Sequence, residues 1–286
     1  MPFLLANAGY DVFLMSMRGT NLSLAYRNLS AVHDTQYWNF DISDLAFGDV
    51  RHSLLYVRRL TGAHKVGYVG HSMGSFTITA LLCEKPQYVD IVEPVITLCQ
   101  VSFVGSIYSP VFKPLMESFA LKSAIPERHS DNRDNRYRAF PIGASEIRSA
   151  LGYLCYRPPN EMIHRLCLTA SELFGGTAQP NLILNKRFAR FNHGPIGNVA
   201  AYGSLIAPDF NVTAFRSQSF VLFHGQSNSL GVPADIDSLL DKLTTILHYT
   251  TWNHFGPLAG TEAGARVNFP ALQVLEEFDK NESVFD

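Results

Sequence analysis

The stretch KVGYVGHSMGSFTITALLC, residues 65–83, constrains this chain more than any other part of it. Residues 65–69 read as a short apolar strand, and from Ser75 onward Phe76, Ile78, Ala80, Leu81 and Leu82 supply the apolar positions of a helix. Between them Gly70-His71-Ser72-Met73-Gly74 forms a G-x-S-x-G turn. As a bare pentapeptide this is only a tight turn; placed between strand and helix it is a nucleophile elbow. Such a turn forces residue 72 into strained backbone and presses helix against strand, leaving almost no space for a Cβ at the glycines. Ser72 is then lifted clear of the sheet edge, with the Met73 amide and the start of the helix aimed at a developing oxyanion.

A chain of 286 residues, 47% hydrophobic and 17% charged, is globular and fits one large α/β domain, with or without an insertion. A net charge of −2 and no basic cluster give it no field for nucleic acid. No apolar stretch approaches the ~18 residues that span a bilayer, so no transmembrane segment is expected. The start, Met1-Pro-Phe-Leu-Leu, lacks the basic opening of a signal peptide. Sequons at Asn21, Asn28, Asn211 and Asn281 permit glycosylation without requiring it. Of the four cysteines, Cys83 and Cys99 fall in helix and strand patterns and read as buried thiols. Cys155 and Cys167, in a loop-rich region, are the pair whose setting admits a disulfide. Neither C-x-x-C nor H-E-x-x-H occurs, so no metal or other cofactor is expected.

Strand and helix alternate along the chain as a parallel sheet requires. A helix end closed by Gly9 leads into residues 10–15, which read as a buried strand, and a long helix runs from Asp41 or Ser43 as cap to Leu60 and stops at Gly62. Residues 92–99 form the strand after the elbow unit. From 105 to 215 the rhythm breaks into Pro-, Arg- and Asn-rich pieces, including a charged run at 127–138 that reads as a solvated loop; an inserted cap over the sheet is the natural interpretation. Regular pattern resumes with a strand at 219–223, a helix at 233–243 carrying Asp235, Asp237 and Asp241 on its wet side, a strand at 244–251 and a closing helix at 267–278. The organisation expected is core 1–104, cap 105–215 and core 216–286.

A serine nucleophile needs a base, and the base a third group to hold it. In sheets of this kind the partners follow in the order serine, acid, histidine, each in a loop after a later strand. Of ten histidines, His254 alone lies between the last strand and the last helix, in the loop Trp252-Asn253-His254-Phe255. The acid position is unusual. Between Phe223 and Pro233 there is no carboxylate, and Asn228 stands where one is expected; Asp235 or Asp237 is the alternative if the helix start lies closer. An amide can accept from the imidazole but carries no charge to stabilise imidazolium, and it can equally donate and fix the wrong tautomer. His224-Gly225 reads as the strand end leading to that position.

These motifs, with LLANAGYDVFLMSMRGT, YWNFDISDLAFGDV, IVEPVITLCQVSFV and FVLFHGQSNSLGVPADIDSLLDKL, resemble the acid lipase family, the gastric and lysosomal lipases within the α/β-hydrolases. The resemblance implies a mostly parallel sheet flanked by helices with an inserted cap; Ser72 as nucleophile, His254 as base, Asn228 at the family's Asp and the Met73 amide as an oxyanion donor. Cys155 and Cys167 are similar in place to a cap disulfide. The family's early strands and its H-G oxyanion loop have no counterpart here, as in an N-terminally truncated relative. The implied activity is hydrolysis of neutral lipid esters at a lipid–water interface, by a secreted or lysosomal glycoprotein. A lipid-binding pseudoenzyme of the same fold is the alternative.

Overall fold

The computed structural model describes residues 1–103, 187–215, 220–240, 246–250 and 252–282, apart from residues 21, 32, 39 and 229. Cys155, Cys167, the run 127–138 and most of the expected cap lie outside the described residues.

Helix α1 is Pro2–Asn7, closed through Ala8 by Gly9 at φ 96°. The next helical stretch, α2, begins at Ile42–Asp44, passes through a π-helical turn at Leu45–Val50 and continues as Arg51–Thr61. Asp41 is its cap: the Asp41 carboxylate accepts from the Ser43 amide while Asp44 accepts from the Asp41 amide, a capping box that satisfies donors at both positions. Gly62, at φ 76°, ends it in the left-handed conformation that glycine adopts without a Cβ penalty.

Strand β1 (Tyr68–His71), helix α3 (Met73–Glu84) and strand β2 (Val95–Leu98) follow; after helix α4 (Gly194–Tyr202) come β3 (Phe220–Gly225), helix α5 (Pro233–Leu240), β4 (Ile246–Thr250) and a short helix α6 (Gly256–Ala259). A π-helical turn at Gly264–Asn268 leads into the closing helix α7 (Phe269–Glu282). The four strands form one parallel sheet in the order β1-β2-β3-β4, with Val95 beside Tyr68 and Phe220, and Val221 beside Ile246. Strand and helix bounds read from the sequence differ from these by a few residues.

Both faces of the sheet are covered, which is why β2 and β3 are apolar runs rather than alternating ones. Along β3, Phe220 and Leu222 enter one core with α2 and α3, while Val221 and Phe223 enter a second core with Leu5 and the α7 residues Ala271 and Leu275. Helix α3 is buried around its circumference, and its three hydroxyl-bearing residues turn their hydroxyls onto backbone carbonyls: Ser75 onto Ser72, Thr77 onto Met73, Thr79 onto Ser75. Residues 187–215 pack back on this assembly. Phe188 meets Phe76 edge to face at 4.9 Å, and Arg190 holds Glu84, the last residue of α3, with two hydrogen bonds of 3.0 and 2.6 Å.

Two readings are corrected. Residues 10–15 are not a buried strand: Tyr10 and Val12 pack on the second core, but Phe13 and Leu14 are 44% and 78% exposed. A strand needs a ladder to take up its N–H and C=O groups, and among the described residues no strand pairs with this segment. Asp235 is not on the wet side of its helix but buried at the first turn, while Asp237 is exposed; Asp241 lies outside the described residues.

Candidate active site

Ser72 sits between β1 and α3 with φ 53° and ψ −111°, a strained conformation held from several sides. Its amide donates to the Leu98 carbonyl at the end of β2 (3.1 Å). Its carbonyl accepts from the amides of Ser75 and Phe76 and from the Ser75 hydroxyl, which itself accepts from Val101. Gly70 is required by close approach, since a Cβ there would stand 2.8 Å from the backbone of Gly74; at Gly74 the nearest atom is 3.5 Å away, so the crowding expected at both glycines exists at one. Met73 opens the helix, so its amide belongs to the first turn and points toward the positive, N-terminal end of the helix dipole.

His254 lies in the loop between β4 and α6, and its Nε2 is 2.7 Å from the Oγ of Ser72. The loop is fastened at successive residues. The Trp252 carbonyl accepts from the Ser227 amide and lies so close to Gly225 that a Cβ there would be 2.0 Å away. The Cys99 thiol rests 3.9 Å from the Asn253 carbonyl, and His71 Nε2 is 2.8 Å from the carbonyl of His254 itself.

On its other side His254 Nδ1 meets the Oδ1 of Asn228 at 3.2 Å. The same oxygen accepts from the amides of Leu230 and Gly231, both at 3.0 Å. Backbone amides only donate, so the atom that faces them is the carboxamide oxygen, not its nitrogen. The third donor must then be His254 Nδ1–H, which leaves Nε2 as an acceptor for the Ser72 hydroxyl. The open question of which way the amide would point is answered by the turn it sits in: Asn228 orients the tautomer a general base needs, without contributing charge. Among the described residues it is Asn228, not Asp235 or Asp237, that meets this nitrogen.

The imidazoles here stay neutral. Burial pushes His254 down to about 3, with the neighbouring His71 and His224 adding to the effect. Burial likewise pushes His224 down to about 4 and lowers His71. Cys99, a buried free thiol, is pushed up to about 12. His71, Cys99 and His254 bring ligand-type atoms within 4.8 Å of one another. The fastening of the loop accounts for that cluster: His254 uses both ring nitrogens on Asn228 and Ser72, and His71 Nε2 faces a carbonyl. Sequence reasoning brought Ser72, His254 and Asn228 to one site but gave no task to His71, whose only signal was its place inside the elbow.

A family model described as alpha/beta hydrolase fold matches residues 1–141. With its parallel sheet and strand-turn-helix, this chain has the α/β-hydrolase fold. Within that class the resemblance to the acid lipases holds over nearly its whole length. Lipase 3 of Drosophila melanogaster is 23% identical, covering 98% of this chain and 76% of that protein. Lipase lipl-3 of Caenorhabditis elegans is 24% identical over 95% and 74%, and gastric triacylglycerol lipase of Rattus norvegicus 24% over 97% and 74%. Among solved structures, a hydrolase from Pseudomonas aeruginosa PA01 covers 82% of this chain and 72% of its own, with 11% identity and a TM-score of 0.43.

Proposed function

We propose that this protein is a serine carboxylic ester hydrolase acting on neutral lipid esters, triacylglycerol or sterol ester. The observation that carries the reading is the 2.7 Å contact between Ser72 Oγ and His254 Nε2, in the tautomer that lets the serine hydroxyl donate. In the proposed cycle Ser72 Oγ attacks the ester carbonyl as Nε2 takes its proton, and the Met73 amide helps hold the tetrahedral oxyanion. The imidazolium then protonates the departing alcohol. Water, deprotonated by the same nitrogen, releases the fatty acid and restores Ser72. None of these steps calls on a cofactor.

The lipid part of the reading is supported by the similarity to lipases; the same similarity supports a secreted or lysosomal setting, a substrate met at a lipid–water interface, and residues 105–215 as a cap inserted between core segments 1–104 and 216–286. No helix among the described residues is long and apolar enough to cross a membrane. The test is a fluorophosphonate probe together with emulsified triacylglycerol and sterol ester. Covalent labelling and fatty-acid release, both absent in Ser72→Ala, are expected; folded wild-type protein that neither labels nor releases acid would leave lipid binding as the remaining role.

A further inference from the structure

We propose that His71 is a positioning residue for the general base: its Nε2–H grips the main chain of His254 and so closes a clamp across the nucleophile and its base. The inference rests on the ester-hydrolase reading and deepens it.

His71 is covalently joined to Ser72, yet its ring reaches 2.8 Å from the carbonyl oxygen of His254, 183 residues away. A carbonyl only accepts, so His71 Nε2 carries the proton, whether the ring is neutral or charged. The two rings lie with centroids 5.0 Å apart, and Phe255 covers both, at 6.2 Å from His71 and 5.4 Å from His254. Elbow and base loop therefore touch at two points. Ser72 Oγ meets the side chain of His254, and the residue before Ser72 meets its backbone. Asn228 orients the imidazole and the Trp252 and Asn253 contacts hold the loop, but the His71 contact ties the main chain of His254 to the residue beside the nucleophile and so fixes the distance over which the proton moves. The position matters because displacements near 1 Å at a reacting pair lower rates by about 10²-fold.

The test separates hydrogen bond from packing. Gln at 71 places an amide N–H near the reach of Nε2, whereas Phe fills the space and has no donor. Steady-state hydrolysis of a soluble p-nitrophenyl ester by His71→Phe should show kcat about 10- to 100-fold below wild type with KM changed less than about 3-fold. Fluorophosphonate labelling should slow by the same factor, and His71→Gln should recover most of both. Wild-type kcat in His71→Phe, or no recovery in His71→Gln, overturns the proposal. Crystal structures of the two variants read the clamp without turnover. The base loop should keep its Ser72 contact near 3 Å in the Gln protein and open beyond about 3.5 Å in the Phe protein. An undisturbed loop in the Phe protein overturns the clamp even if the wild type proves inactive, so the two readings fail separately.

Discussion

Ser72 Oγ and His254 Nε2 stand 2.7 Å apart although their residues are 182 positions apart in the sequence. Three parallel strands, β2, β3 and β4, lie along the chain between them, and the order of the sheet brings the loop after β4 back to the elbow. Removing either partner removes the reacting pair. Ser72→Ala is expected to lower ester turnover by at least about 10³-fold and to abolish probe labelling, with the melting temperature nearly unchanged in calorimetry.

Asn228→Asp should raise activity, by an amount the geometry bounds. Where a neutral amide replaces a triad carboxylate and fixes the wrong tautomer, turnover falls about 10⁴-fold. Here Leu230 and Gly231 already hold the tautomer, so only the missing charge is left to restore. An opposite charge at this range stabilises imidazolium by 1–3 pKa units, or about 10- to 1,000-fold. The same charge raises the His254 pKa, so the acid limb of kcat/KM should move to higher pH. A rate and profile identical to wild type would remove position 228 from the site.

Acid should weaken the fold earlier than carboxylate pairs require. Burial depresses His254 to about 3 and His224 to about 4, against about 6.5 in the unfolded chain. Below pH 6.5 the unfolded chain takes up protons that the folded one refuses, so stability falls as pH drops from 6.5 toward 4, by up to about 1.4 kcal/mol per pH unit for each histidine. Calorimetry between pH 7.5 and 5 reads the slope, and His224→Gln should flatten it. A melting temperature independent of pH across that interval would contradict the buried neutral assignment.

Gly231→Ala tests the turn behind the amide. A Cβ at 231 would stand 2.3 Å from the Gln100 carbonyl, so the loop must shift, costing about 1–3 kcal/mol. Because that shift drags a donor off Asn228, kcat should fall more than the loss of stability explains. Chemical denaturation and kinetics on the same variant separate the two.

The sheet and the elbow were legible because fully covered strands are continuous apolar runs and Gly70 and Gly62 punctuate them. Residues 10–15 misled for the complementary reason: Tyr10-Asp-Val-Phe-Leu-Met has a strand's composition, but strand formation depends on a neighbour that composition does not reveal. Asp235 was assigned to solvent from its charge alone, whereas its place at the first turn of α5 buries it. The three site residues followed from their order along the chain. The orientation of the Asn228 amide did not, since it depends on two backbone donors, and the His71 contact depends on a loop 183 residues distant.

Arg190 and Glu84 give the long middle segment a fixed mooring. Their paired hydrogen bonds, beside the Phe188–Phe76 edge-to-face pair, fasten the chain's return to the far end of the very helix that starts at Ser72. A pull on Arg190 would therefore travel the length of α3 and arrive as a load on the strained turn of Ser72.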